Sequence, residues 1–219
     1  MPKYKLVIWD VDGTLLDTSP GLLASTRYMI ETLGLPKIPE DVLESFVGPR
    51  IQDSLSRVYG LTGDAGKDAA AVFRNHYKEG DVLKAEPYPG IEEALKNLSD
   101  AGIKMAVATN KRQDFTDALM QKFGFDKYLS CIFGTDPEGK YVKKDLINMC
   151  VDYFDDIDKN DAVMIGDSAY DAEAAVAVGV DFIGVTYGFD FKNEDDIRVF
   201  HPVAVAKSSE LLKSILLEN

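Results

Sequence analysis

Positive charge is scarce in this chain. Its 219 residues carry 24 lysines and arginines against 37 aspartates and glutamates, a net charge of −13. Nucleic-acid binding wants a basic footprint, so that class of partner is set aside. Cysteine is scarcer still. Cys131 and Cys150 stand alone, without the paired spacing of a zinc site, and are read as thiols in a reducing cytoplasm, not as a disulfide. No run approaches the roughly 20 apolar residues of a membrane span, so no membrane partner is expected. The opening MPKYKLVIWD holds only a short apolar run that ends in acid, which does not read as a secretory signal. Repeats and low-complexity segments are missing too. The lone Trp9 and Tyr4 read as core packing, and His76 and His201 as structural or exposed. What remains is ordinary for a globular chain, with 46% hydrophobic and 28% charged residues, enough for one or two domains with a sizeable core.

The informative segment is LVIWDVDGT, residues 6–14. Leu6 to Trp9 is a short apolar run that reads as a buried strand. It stops at two aspartates one residue apart, Asp10 and Asp12, followed by Gly13 and Thr14. In a parallel sheet, ligands bind beyond the carboxyl ends of the strands. Two acids there make a candidate cation site and offer both a nucleophile and a proton-transfer group. A plain surface turn also uses Asp and Gly. A calcium loop of the EF-hand type is excluded, since the fourth position is Gly13 and the twelfth is Gly21, where that loop needs Gly at its sixth and Glu at its twelfth.

Three further pieces follow strand-like runs or open helices. Ile103 to Ala108 leads into Thr109, Asn110 and Lys111. Ala162 to Ile165 leads into Gly166, Asp167, Ser168 and then Asp171. Between them, Lys143 and Lys144 follow a Gly- and Asp-rich loop. Thr109 and Asn110 read either as an anion site at a helix N-terminus or as a cap that starts a helix over residues 112–123. Lys111 reads equally as reaching the pocket or as a solvated lysine. Asp171 reads as a site residue or as an ordinary acid in a first helical turn.

With DVDGT (10–14), ATN (108–110), Lys143 and GDSAYD (166–171) in this order, the chain resembles the haloacid dehalogenase superfamily, in its branch with a helical cap inserted after the first strand. The stretches FVGPRIQDSL (46–55) and PYPGI (87–91) are similar to the phosphoglycolate phosphatase-like subgroup. The resemblance implies a Mg²⁺-dependent cytoplasmic phosphatase, monomer or homodimer, that acts on a small phosphorylated metabolite through an aspartyl-phosphate. It makes Asp10 the nucleophile and Asp12 the general acid and base, roles that chemistry alone leaves exchangeable. It gives the metal a carboxylate oxygen of Asp10, the backbone carbonyl of Asp12 and the carboxylate of Asp167, with Asp171 as a supporting group or further ligand. Hard oxygen donors of this kind suit Mg²⁺.

By the same resemblance Thr109 and Asn110 bind the transferring phosphoryl group, and a lysine offsets the crowded carboxylates. Lys143 is preferred over Lys144, although the family often has Lys-Pro there and this chain has Lys143-Lys144-Asp145. Arg50, beside Gly48 and Pro49, is the candidate to pair with a carboxylate or second phosphate of the substrate; a plain surface arginine is the other reading. Rivals are a phosphomutase of the β-phosphoglucomutase type, a pyrophosphatase, and a non-catalytic binding domain that kept the fold. Dehalogenase chemistry is disfavoured, because those enzymes lack the second aspartate that Asp12 provides.

The expected architecture is a Rossmann-like, doubly wound α/β core with a parallel sheet, residues 1–16 and 85–219, interrupted by a helical cap over 17–84. Strands are expected at 4–9, 103–108, 162–165 and 181–186, and core helices at 91–101, 112–123, 144–154, 169–178 and 208–217. Cap helices are expected near 20–33, 40–46, 50–59 and 66–78, with Leu22, Leu23, Met29, Ile30 and Leu33 as cap core. Glu86 to Gly90, with two prolines and a glycine, reads as a stiff hinge.

Overall fold

The computed structural model describes residues 3–136 and 140–217. In chain order the first elements are β1 (Leu6–Trp9), β2 (Leu16–Asp17), α1 (Ser19–Thr32), α2 (Glu40–Glu44), α3 (Ile51–Tyr59) and α4 (Gly63–Lys78). Then come β3 (Glu86–Pro87), α5 (Ile91–Asp100), β4 (Lys104–Arg112), α6 (Gln113–Phe123), β5 (Cys131–Thr135) and α7 (Lys143–Asp152). The chain finishes with β6 (Ala162–Gly166), α8 (Ala169–Val178), β7 (Asp181–Val185), α9 (Glu194–Arg198), β8 (Ala204–Ala206) and α10 (Ser209–Leu217). It divides into two compact units, one running to Asp17 and again from Pro87, the other spanning Thr18–Glu86.

The larger unit is built on a six-stranded sheet in the order β5-β4-β1-β6-β7-β8, and the strand pairs are parallel. Parallel sheets are covered on both faces, so their strands read as continuous apolar runs. The four residues of β1 are fully buried, and each such side chain contributes roughly 1.5–3 kcal/mol of hydrophobic stabilisation. Successive side chains point to opposite faces. Leu6 and Ile8 join a core cluster with Leu146, Ile147 and Cys150 of α7 and with Ala172 and Ala175 of α8. Val7 and Trp9 point to the other face. The two cysteines are buried free thiols.

Strand order positions the site. The chain steps outward from β1 through β4 to β5, then returns to place β6 on the other side of β1. This makes the carboxyl ends of β1 and β6 the switch point of a doubly wound sheet, where ligands of such folds bind. Trp9 pairs with Ile165, and the Asp10 N–H donates to the Ile165 carbonyl at 3.0 Å. Asp10 and Gly166-Asp167 therefore leave the sheet side by side.

Several expected elements differ from the observed ones. β4 does not stop at residue 108 but runs to Arg112 through a register irregularity between Ala108 and Arg112. Thr109 and Asn110 thus lie inside the strand. They do not cap α6, whose N-cap is Arg112. β5, β8 and α9 have no counterpart among the expected elements. β5 and β8 are the two edge strands of the sheet, and Asn193 starts the five-residue α9 by accepting from the Asp195 and Asp196 N–H groups.

The smaller unit holds four helices, with α1 packed on α4 and α3 on α4. Met29, Ile30, Leu55, Ala70, Phe73 and Tyr77 are buried in it. Leu22 and Leu23 are only half-buried and Leu33 is exposed. Leu33 follows the last helical residue and precedes Gly34 at φ +62°, so the helical face ends before it. His76 lies 3.1 Å from the buried carboxylate of Asp81 and stacks on Tyr28, a structural role.

No helix among the described residues is long and apolar enough to cross a membrane.

Candidate active site

Four charged side chains converge where β1 and β6 end. Asp10, Asp167 and Asp171 are buried and place one carboxylate oxygen each within 4.8 Å of one another. Lys143 Nζ donates to Asp10 Oδ1 at 2.6 Å and stands 2.6 Å from Asp171 Oδ1. One ammonium thus serves two carboxylates. Lys143 is the first residue of α7, and the Asp145 carboxylate fixes this start by accepting from the Val142 N–H at 3.0 Å. Lys144, one position on, is exposed. Of the two lysines, Lys143 is the one that faces the acids.

Asp171 serves two partners. Its Oδ2 accepts from the Ser168 N–H at 3.2 Å and from the Ser168 hydroxyl at 2.7 Å, tying down the start of α8. Its other oxygen faces Lys143. Asp171 thus ties down a helix start and faces the lysine at once.

Electrostatics follow from three buried acids and one buried ammonium. Burial pushes the Asp10 carboxyl up to about 6, against the pull of Lys143 and with the push of Asp171 and Asp12. Burial, then Asp171 and Asp10, raise Asp167 well above the usual carboxylate range. Burial alone would discharge Lys143, but Asp10 and Asp171 outweigh it and hold the ammonium above its ordinary pKa. The cluster is short of positive charge. Convergent carboxylates in that condition, all hard oxygen donors, fit a divalent cation of the magnesium or calcium kind.

Asp12 faces a different partner. Lys111 Nζ contacts both of its carboxylate oxygens, at 2.9 and 3.0 Å. Lys111 is buried, not a solvated lysine. Thr109 is buried beside it, and its Oγ1 accepts from the Lys111 N–H at 3.3 Å. Asn110 has a buried Oδ1 with no hydrogen-bond partner. Arg50 belongs to the smaller unit, where it is the exposed N-cap residue of α3.

Sequence reading missed one segment, residues 187–191 after β7. The Phe189 N–H donates to Asp167 Oδ2 at 2.6 Å, the Phe191 N–H donates to the Asp167 carbonyl at 2.9 Å, and the Tyr187 hydroxyl donates to the Thr14 carbonyl at 3.1 Å. Two glycines allow the approach. A Cβ on Gly188 would lie 2.3 Å from the Gly13 carbonyl oxygen and 2.4 Å from Asp167 Oδ2, and one on Gly13, at φ +82°, would lie 2.1 Å from the same carboxylate oxygen. The available signal was Gly188 just beyond a strand-like run, where glycine marks close backbone approach.

Comparison with known proteins agrees with this geometry. Residues 7–185 match the family described as haloacid dehalogenase-like hydrolase. The chain is 28% identical over 215 residues to a 5'-nucleotidase of Pseudomonas aeruginosa, covering 98% of this chain and 96% of that protein. It is 35% identical over 193 residues to a phosphoglycolate phosphatase of Neisseria meningitidis, covering 84% and 80%. Among solved structures, protein tyrosine kinase A of Mycobacterium tuberculosis superposes with a TM-score of 0.82 at 27% identity, covering 97% of this chain and 98% of that one. The chain belongs to the haloacid dehalogenase-like hydrolase family and resembles the phosphatases within it.

Proposed function

We propose that this hydrolase is a Mg²⁺-dependent phosphatase that cleaves a small phosphomonoester through an aspartyl-phosphate on Asp10. The observation that carries the reading is the convergence of Asp10, Asp167 and Asp171 at the switch point of the sheet, two of them, Asp10 and Asp171, paired with one buried ammonium, Lys143 Nζ. Phosphoryl transfer asks the protein mainly to position groups and neutralise charge. Lys143 holds Asp10 Oδ1 and so sets the direction of the attacking carboxylate. Attack on phosphorus forms the acyl phosphate and splits one hard displacement into two easier ones. Asp12 gives a proton to the departing alkoxide, then takes one from the water that hydrolyses the intermediate. The hydroxyl of the buried Thr109 and the Asn110 backbone N–H are assigned to the equatorial phosphoryl oxygens.

Asp10 and Asp167, with the Asp12 backbone carbonyl, would hold Mg²⁺, and Asp171 would orient Lys143 or serve as a further ligand. When bound, the cation supplies the positive charge these carboxylates lack and draws electron density from the phosphoryl oxygens.

For the substrate we favour a phosphoglycolate-like acid, ahead of nucleoside monophosphates and sugar phosphates. Relatives named for both of the first two classes support that shortlist. The Arg50 guanidinium, exposed at the head of α3, is assigned to the carboxylate of such a substrate, since its fork matches that anion.

The mechanism is tested by acid quench during single turnover of a ³²P-labelled ester. Label should be recovered on Asp10 and be lost in Asp10→Asn. Label on another residue, or turnover without any labelled protein, would overturn the assignment.

A further inference from the structure

Two lysines are buried among the described residues, Lys143 and Lys111, and the chemistry above uses only the first. An ammonium taken out of water must be matched by a partner of good geometry. For Lys111 that partner is Asp12. The lysine side chain is 4% exposed and the aspartate side chain 24%, with the ammonium 2.9 and 3.0 Å from the two carboxylate oxygens.

The backbone under Lys111 is built to bring it there. β4 continues through residues 109–112 after losing regular register with β5. The Thr135 hydroxyl donates to the Asn110 carbonyl at 3.2 Å. A Cβ on Gly134 would lie 2.7 Å from the Lys111 carbonyl oxygen, so β5 passes this close only with glycine there. The lysine is thus held from its backbone as well as from its charge.

We propose that Lys111 is the positioning residue for Asp12. The χ2 torsion of an aspartate is broad and nearly two-fold, so an ungripped carboxylate would sample many directions. Two contacts, at 2.9 and 3.0 Å, remove that freedom and aim the carboxylate at the leaving oxygen. In the first step the proton passes from Asp12 to that oxygen as its bond to phosphorus breaks and the Asp10–phosphorus bond forms. In the second, Asp12 takes a proton from water as the water oxygen bonds to phosphorus and the Asp10–phosphorus bond breaks, which releases inorganic phosphate and restores the Asp10 carboxylate. Lys111 transfers nothing in either step. This inference rests on the proton-transfer role proposed for Asp12.

The test compares kcat/KM, which ends at the first irreversible step, for the alkyl phosphate that the wild type hydrolyses best and for p-nitrophenyl phosphate. The nitrophenolate leaves without a proton and does not need Asp12. Lys111→Met should lower kcat/KM for the alkyl ester by roughly 10–100-fold, the scale of a misplaced catalytic group, with a much smaller loss on the aryl ester. Lys111→Arg should recover most of it, and Lys111→Met should add nothing in an Asp12→Asn background. Equal losses on both esters, or losses that multiply with those of Asp12→Asn, would overturn the proposal. So would a raised KM at unchanged kcat, which would make Lys111 a ligand of the substrate anion. If Lys111→Met does not fold, the Arg variant and the Asp12→Asn background decide. A wild type inert on both esters would instead sink the phosphatase reading. The grip itself is then read from the Lys111 ¹⁵Nζ resonance, whose slow proton exchange should be lost in Asp12→Asn; fast exchange in the wild type would overturn it.

Discussion

Asp10 is costly to ionise when no cation is bound, and that cost can be measured as stability. Its carboxyl sits at about 6 in the folded chain against an ordinary value of 3.8, a difference of roughly two units, or about 3 kcal/mol. The attraction of Lys143 is already contained in that net shift. The folded state binds the proton more tightly than the unfolded chain, so this group's contribution is fully present below the unfolded pKa and is lost as pH rises through the folded one. Asp10→Asn imitates the protonated acid at every pH. In chelator-treated protein, it should raise the unfolding free energy by a few kcal/mol at about pH 8 and by little at about pH 4, where the wild-type carboxyl is largely protonated when folded. Urea unfolding at the two pH values measures both numbers. Added Mg²⁺ should stabilise the wild type more than the variant, since the variant has lost a ligand and the charge the cation relieves. An Asp10→Asn variant less stable than the wild type at both pH values would refute the reasoning, because it would mean that the Lys143 contact outweighs the crowding of the acids.

Other expectations follow from the same geometry. Lys143→Met leaves Asp10 and Asp171 buried without their cation and should cost about 3–5 kcal/mol in urea unfolding, the scale of a broken buried pair, whereas Lys144→Met, at an exposed position, should be nearly neutral. Gly188→Ala forces a Cβ to within 2.4 Å of Asp167 Oδ2 and should weaken Mg²⁺ binding by roughly the 10–100-fold seen when a ligand's supporting contacts are lost, measured by calorimetry. Arg50→Ala should raise KM for 2-phosphoglycolate by about tenfold or more, the scale of a lost charge-assisted contact, while leaving an ester without a carboxylate unchanged; equal effects on both would remove Arg50 from substrate recognition.

The central strands were legible in the chain because strands buried on both faces need no alternation, and each of β1 and β6 ends abruptly in acid. The order of strands was not legible from period, but the switch point follows once β1 and β6 are neighbours. The family resemblance alone favours Lys143 over Lys144; the structure shows that Asp145 caps the helix that this lysine begins. Lys111 was ambiguous for a physical reason. A buried lysine makes sense only beside its partner, and Asp12 is 99 positions away in the chain. The 187–191 segment works through backbone N–H groups, which every residue but proline carries, so its sequence announces nothing except Gly188. The extension of β4 past Ala108 was hidden because Thr109, Asn110 and Lys111 are polar and read as a strand's end. Polar residues continue a strand where, as here, a neighbouring acid and a neighbouring strand give them partners: Asp12 for the Lys111 ammonium and the Thr135 hydroxyl for the Asn110 carbonyl.

The most direct measurement is phosphate release with Mg²⁺ from 2-phosphoglycolate, nucleoside monophosphates, hexose phosphates and pyrophosphate, by the wild type and by Asp10→Asn. The account predicts Mg²⁺-dependent release from a small phosphomonoester, 2-phosphoglycolate foremost, that Asp10→Asn abolishes. Release that persists in Asp10→Asn, or a wild type that releases phosphate from none of the monoesters, would contradict it.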